Sequence, residues 1–147
     1  MSTTLWLRIS AIISLLFAVG HSLGGLQSWS PIADNPVLQA MRTVHFDVMG
    51  VNRSYLDLYM GFGYTLTVNL LLQSVLLWVL SNLARTHAAI ARPMIAAFAA
   101  ATALAGLIAW KYILPVPAFF FLALFAVLIA AFIAALRSPA VAAPGGV

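Results

Sequence analysis

Apolar residues run almost unbroken over four stretches of this chain, residues 5–26, 55–80, 93–114 and 117–136. Each is about 20 residues or longer, the length of helix that crosses a hydrocarbon core. Backbone N–H and C=O groups find no water there, so each stretch is expected as a helix that satisfies its own hydrogen bonds. The expected fold class is all-α: a membrane-embedded four-helix bundle, one domain over residues 1–137. Residues 138–147, SPAVAAPGGV, are expected as a disordered tail. Arg8, the apolar run 9–19 and Ala18-Val19-Gly20 also fit a signal peptide cleaved after residue 20. Leu5 to Leu7 upstream and Leu23 to Leu26 downstream lengthen the apolar run and favour a span instead.

The loop 27–54 carries its own helical pattern. Asn35 is placed to cap a helix whose first residue is Pro36. Val37, Met41, Val44 and Val48 then fall on one stripe, with His45 inside that apolar face and Gln39, Arg42 and Thr43 opposite. Gly50 is placed to end it in the left-handed conformation. The expectation is a short amphipathic helix, lying on the membrane or capping the bundle.

Polar positions inside the spans are sparse and ordered. Asp57, Gly61, Thr65, Asn69 and Gln73 recur every four residues, and Tyr59, Gly63, Tyr64, Thr67 and Ser74 widen that character. Such a row is expected to line a cavity or to join helices. Ser10, Ser14, Ala18 and Ser22 give the first span a matching small-residue face, and Ala97, Ala101 and Ala105 do so for the third. The spacing shows no heptad seam. Gly24-Gly25 and Gly61-x-Gly63 fit close helix approach or a local bend.

Composition supports lipid as the main solvent: 64% of residues are hydrophobic and 7% charged. Soluble domains carry about 25% charged residues. The net charge of +4 comes from scattered Lys and Arg, with Asp as the only acid and no basic run, so nucleic acid is not an expected partner. The absence of Cys excludes disulfides and thiolate chemistry. In a four-span topology Arg8, Arg85, Arg92 and Arg137 share the side of the termini, and Arg42, Arg53 and Lys111 the other. This leans towards termini inside. The expected location is a cell membrane, of the bacterial inner-membrane type.

The same topology gathers His21, Asp57 and Lys111 at the side of the long loop, with His45, Asp47 and Arg53. His87 lies opposite. The expected ligand-binding set is His21, Gln27, His45, Arg53, Asp57, Gly61, Tyr64, Thr65 and Lys111; His21, Asp57 and His45 are the catalytic candidates. Structural roles compete. Ser54-Tyr55-Leu56-Asp57 has capping-box spacing, and Arg53 is placed to pair with Asp57. Trp110-Lys111-Tyr112 fits an interfacial anchor with a snorkelling lysine. No nucleotide, metalloprotease or nucleophile-elbow motif is present. The spacing of His21, His45 and the acids demands no metal and no haem, so no metal and no cofactor is expected.

GHSLGG (20–25), an acid-poor loop and NRSYLDLYMGFG (52–63) resemble small bacterial four-helix integral membrane proteins of uncharacterised activity. The resemblance implies architecture and membrane location and carries no activity. Sterol-isomerase and sigma-2-receptor-like proteins also enclose a cavity among four helices, but their acid-bearing motif has no counterpart here. Small multidrug exporters use an acid in the first helix, and this one has none.

The leading expectation is therefore binding: an apolar small molecule, a lipid or a partner helix, including a second copy, held in a cavity on the first-loop side. The alternatives are an isomerase-like acid–base enzyme acting on a lipid-like substrate, with Asp57 as base and a histidine as acid, and a proton-coupled transporter or pH sensor working through the histidines.

Overall fold

A computed structural model describes residues 1–25, 32 and 34–137. The expected tail 138–147 lies outside the described residues. Helix α1 (Thr3–Gly20) passes into a π-helical turn (His21–Gly25). A short helix α2 (Pro36–Thr43) and strands β1 (His45–Val48) and β2 (Val51–Ser54) follow. Helices α3 (Tyr55–Thr86), α4 (Ala88–Tyr112) and α5 (Pro115–Arg137) complete the chain. Four helices among the described residues are long and apolar enough to cross a membrane. The fold is an all-α four-helix bundle with one small hairpin, and the chain is a multi-pass membrane protein. The four long helices overlap the four apolar runs: α3 continues six residues past its run, α4 starts five residues before its run and ends two short of it, and α5 extends its run by two residues at the start and one at the end.

The chain forms two compact units, Met1–Phe17 with Leu72–Val147, and Ala18–Leu71. The first contains parts of all four long helices. Its core includes Leu7, Leu77, Leu80, Ile95, Leu124 and Leu128, all essentially inaccessible. Burial of apolar groups stabilises little here, because lipid tails are as apolar as leucine; close packing and interhelical hydrogen bonds carry the association. Accordingly the packed faces are rich in small and hydroxyl residues. Ser10, Ser14, Ser81 and Thr102 are buried beside Ala91, Ala99, Ala131 and Ala135. The Ser74 hydroxyl donates to the Ala11 carbonyl at 2.8 Å.

Most buried positions have another three or four residues away. In this unit they are Thr3, Leu7, Ser10, Ala11, Ser14 and Phe17 on α1, and Leu77, Leu80, Ser81 and Ala84 on α3. On α5 they are Ala118, Phe121, Leu124, Leu128, Ala131 and Ala135. This is the repeat that keeps packed helices in contact along their length. The packed seam mixes leucines and phenylalanines with small residues. On α4 it runs through Ala91, Ile95, Ala99, Thr102 and Ala109. The expected face of Ala97, Ala101 and Ala105 is displaced: Ala97 and Ala101 are exposed. Between α4 and α5 the approach is close enough that a Cβ on Gly106 would stand 3.2 Å from the Phe121 Cβ.

Helices α3 and α4 are separated by His87 alone. Its N–H donates to the Leu83 carbonyl and its carbonyl accepts from Ile90 and Ala91, so one residue closes one helix and opens the next. Pro93 lies inside α4 rather than at its start.

The first-loop helix starts as expected and stops early. Asn35 Oδ1 accepts from the N–H groups of Val37 (2.9 Å) and Leu38 (3.3 Å), with Pro36 at the first position. No residue of α2 is buried, in keeping with a helix lying on a membrane surface. Val44 caps the end of α2, and residues 45–49, expected as its continuation, instead enter an antiparallel hairpin with Val48 opposite Val51. Met49 (φ 53°) and Gly50 (φ 78°) make its two-residue turn. Left-handed φ at both central residues is the signature of the hairpin turn that matches strand twist. The competing signal was an alternation: Val44, Phe46 and Val48 on one side, His45 and Asp47 on the other.

Candidate functional site

In the unit Ala18–Leu71 the π-helical turn sets the geometry. Widening α1 by one residue per turn at His21–Gly25 brings two successive side chains to the same point of α3. His21 Nδ1 lies 3.0 Å from Thr67 Oγ1, and Ser22 Oγ lies 3.2 Å from the same atom. Such single π turns recur at functional sites. The Ser22 hydroxyl donates to the Ala18 carbonyl at 2.8 Å, so its oxygen is left to accept. With the Thr67 proton directed to Ser22, His21 Nδ1–H donates to Thr67; with the opposite tautomer, Thr67 donates to His21. The first arrangement hydrogen-bonds all three side chains; in the second, with the Ser22 proton on Ala18, Ser22 and Thr67 are neighbours without a proton between them.

Beside the cluster is a groove of about 300 Å³, lined by Ala18, Val19, Ser22, Leu23, Thr67 and Leu71. Its walls are aliphatic, and the Ser22 and Thr67 hydroxyls supply its polar points. This is the usual design of a small-molecule site, an apolar surface with few placed polar groups.

A second polar cluster sits on the hairpin. His45 and Asp47 share a face of β1, opposite Ser54 and Asn52. His45 Nδ1–H donates to Asn52 Oδ1 at 2.8 Å, and Asn52 Nδ2 donates to Asp47 Oδ1 at 2.8 Å. His45 is therefore exposed on a strand and bonded across the hairpin, and the expected place in an apolar helical face is corrected. On the other face the Phe46 ring meets the Tyr55 ring at a tilt of 54°, with centroids 5.2 Å apart.

Asp57 has the structural role its spacing allows. Its Oδ2 accepts from the Ser54 N–H (2.8 Å) and hydroxyl (2.9 Å), while its own N–H donates to Ser54 Oγ (3.1 Å). This is a complete capping box at the junction of β2 and α3. Arg53 does not take the expected bond to Asp57. Its Nη1 donates instead to the Asn52 carbonyl at 2.8 Å.

The structure thus brings together His21, Ser22 and Thr67, and separately His45, Asn52 and Asp47. It does not join His21 to Asp57. Thr67 stands about ten residues, or about 15 Å of helix rise, beyond Asp57 on α3. Gly61, Tyr64 and Thr65 are exposed on α3. The Thr65 hydroxyl donates to the Gly61 carbonyl at 2.9 Å. Lys111 belongs to the other unit, with its ammonium 5.0 Å from the Tyr112 ring, as an interfacial anchor would. Gln27 lies outside the described residues. No group of three or more metal-ligating side chains occurs among the described residues. Ser22, Thr67 and Asn52 were not among the expected site residues. Ser22 could be suspected from its place next to an intramembrane histidine; Thr67 and Asn52 meet their histidines across elements, which the sequence does not mark.

Comparison with family models, with curated proteins and with solved structures finds no match to this chain.

Proposed function

We propose that this protein binds an amphipathic small molecule or lipid in the groove between Ala18–Leu23 and Thr67–Leu71. Val19, Leu23 and Leu71 provide the surface for the apolar part. The Ser22–Thr67–His21 cluster receives the polar group. The observation that carries the reading is the convergence of His21 and Ser22 on Thr67 at the wall of that groove. An intramembrane histidine is costly unless paired, and here the pairing sits beside open apolar space. The acid–base alternative needs His21 and Asp57 together, and their separate partners favour binding over it. The setting we propose is a bacterial inner membrane with both termini cytoplasmic, since Arg8, Arg85, Arg92 and Arg137 share that end. The test is extraction in mild detergent, followed by mass spectrometry of bound molecules from the native chain and from Thr67→Val. A stoichiometric amphiphile lost from Thr67→Val supports the proposal; equal lipid content in both refutes it.

A second copy of the chain is the reading favoured by a different observation. Asn69 is exposed near the middle of α3, on a row with exposed Gly61 and Thr65. An amide facing lipid at that depth is stabilised by an amide from another helix. Loss of dimers in Asn69→Leu, measured by energy transfer in liposomes, is the expected result. Unchanged transfer excludes this face.

A further inference from the structure

At the end of the bundle formed by the start of α1 and the ends of α3 and α5 lies a pocket of about 560 Å³. Arg85 and Arg137 line it, together with Thr3 and Thr4, against a wall that includes Trp6 and Ile133. The Thr3 side chain is only 4% exposed. Its hydroxyl is buried without a hydrogen-bond partner. A buried hydroxyl left unpaired is unfavourable, and a ligand oxygen at this place would satisfy it. The N–H groups of Leu5 and Trp6 are taken by the Ser2 carbonyl, so the hydroxyl of Thr3 is the polar group that the pocket leaves unmatched.

The charge of this unit is one-sided. Its residues include Arg8, Arg85, Arg92, Lys111 and Arg137 and no acid; Asp34, Asp47 and Asp57 all belong to Ala18–Leu71. No acidic side chain is therefore available within the unit to neutralise the pocket. Arg92, at the same end, is engaged with the Ala135 carbonyl at 3.1 Å. Arg85 and Arg137 are exposed at helix termini, where a bilayer presents its headgroups.

We propose that this pocket binds a phosphate-type anion carried by an anionic phospholipid. Arg85 and Arg137 hold the phosphate, and the Thr3 hydroxyl donates to one of its oxygens. Trp6 and Ile133 lie against the glycerol and the upper acyl chain. Basic pockets between membrane helices recognise headgroups in this way, and the apolar wall distinguishes an amphiphile from a free ion. The site is separate from the groove beside Thr67 and stands or falls independently of it.

The experiment is native mass spectrometry of the full chain in a neutral detergent, with added phosphatidylglycerol, phosphatidylcholine or inorganic phosphate. One phosphatidylglycerol is expected to be retained in preference to phosphatidylcholine. Arg85→Gln with Arg137→Gln weakens that retention on the order of tenfold. Both arginines are exposed, so folding is not at risk. Thr3→Val weakens retention several-fold while the unfolding temperature of lipid-free protein stays the same or rises, an effect that a merely structural threonine would not give. Equal retention of the two lipids, or retention unchanged in the double variant, overturns the proposal. Saturation by inorganic phosphate that abolishes the preference for phosphatidylglycerol overturns the lipid assignment.

Discussion

His21 Nδ1 and Thr67 Oγ1 stand 3.0 Å apart, joined by a π-helical turn that carries the imidazole to the face of α3. Removing Thr67 takes from His21 its hydroxyl partner, whereas removing His21 leaves Thr67 with Ser22 and the Gly63 carbonyl. Thr67→Val, nearly isosteric, is expected to destabilise the protein by about 0.5–1.5 kcal/mol. His21→Ala should cost a similar amount, and the two should be markedly non-additive in a double-mutant cycle of thermal unfolding in detergent. Additive losses would mean that the two side chains do not interact.

The capping box separates structure from chemistry at Asp57. Ser54→Ala should destabilise by about 1 kcal/mol, through loss of the side-chain bonds at the start of α3. Asp57→Asn should lower the unfolding temperature and leave amphiphile binding intact. Binding lost in Asp57→Asn at full folded content would return Asp57 to the site.

Met49 is 97% exposed and adopts a left-handed φ of 53° in the hairpin turn. A non-glycine residue there is strained by about 1–2 kcal/mol. Met49→Asn should relieve about half of that and slow amide exchange across β1 and β2. Faster exchange would contradict the turn assignment.

Gly106 permits the close approach of α4 to α5. Gly106→Leu pushes into Phe121, which is buried, and should destabilise by about 1–3 kcal/mol. Circular dichroism melts of the variant test it. An unchanged melt would show that the two helices can separate without loss.

The helices were legible because lipid demands long apolar runs, and the caps because Asn35-Pro36 and Ser54–Asp57 act locally. The face of each helix was not. Around α3 apolar residues fall on every side of the helix, so hydropathy does not point to the packed side. The row of Asp57, Gly61, Thr65 and Asn69 drew attention through polarity, yet these four are exposed. The contacts run instead through Thr67 and Ser74, one seam position away. Residues 44–49 misled because Val44 and Val48 satisfy a helical spacing while 45–48 also alternate. The two-residue turn at Met49-Gly50 and the cross-strand bonds of Asn52 decide between them, and those are long-range facts. Likewise His21 was visible as an anomaly, but its partner Thr67 was fixed only by a π turn, which leaves no distinct mark in the sequence.

Photoactivatable lipid cross-linking in the native membrane, with adducts mapped by mass spectrometry, tests the binding groove most directly. The account predicts adducts concentrated on Val19, Leu23 and Leu71, and their loss in Thr67→Val. Labelling spread evenly over the exposed faces of the four long helices, unaltered by that substitution, would contradict it.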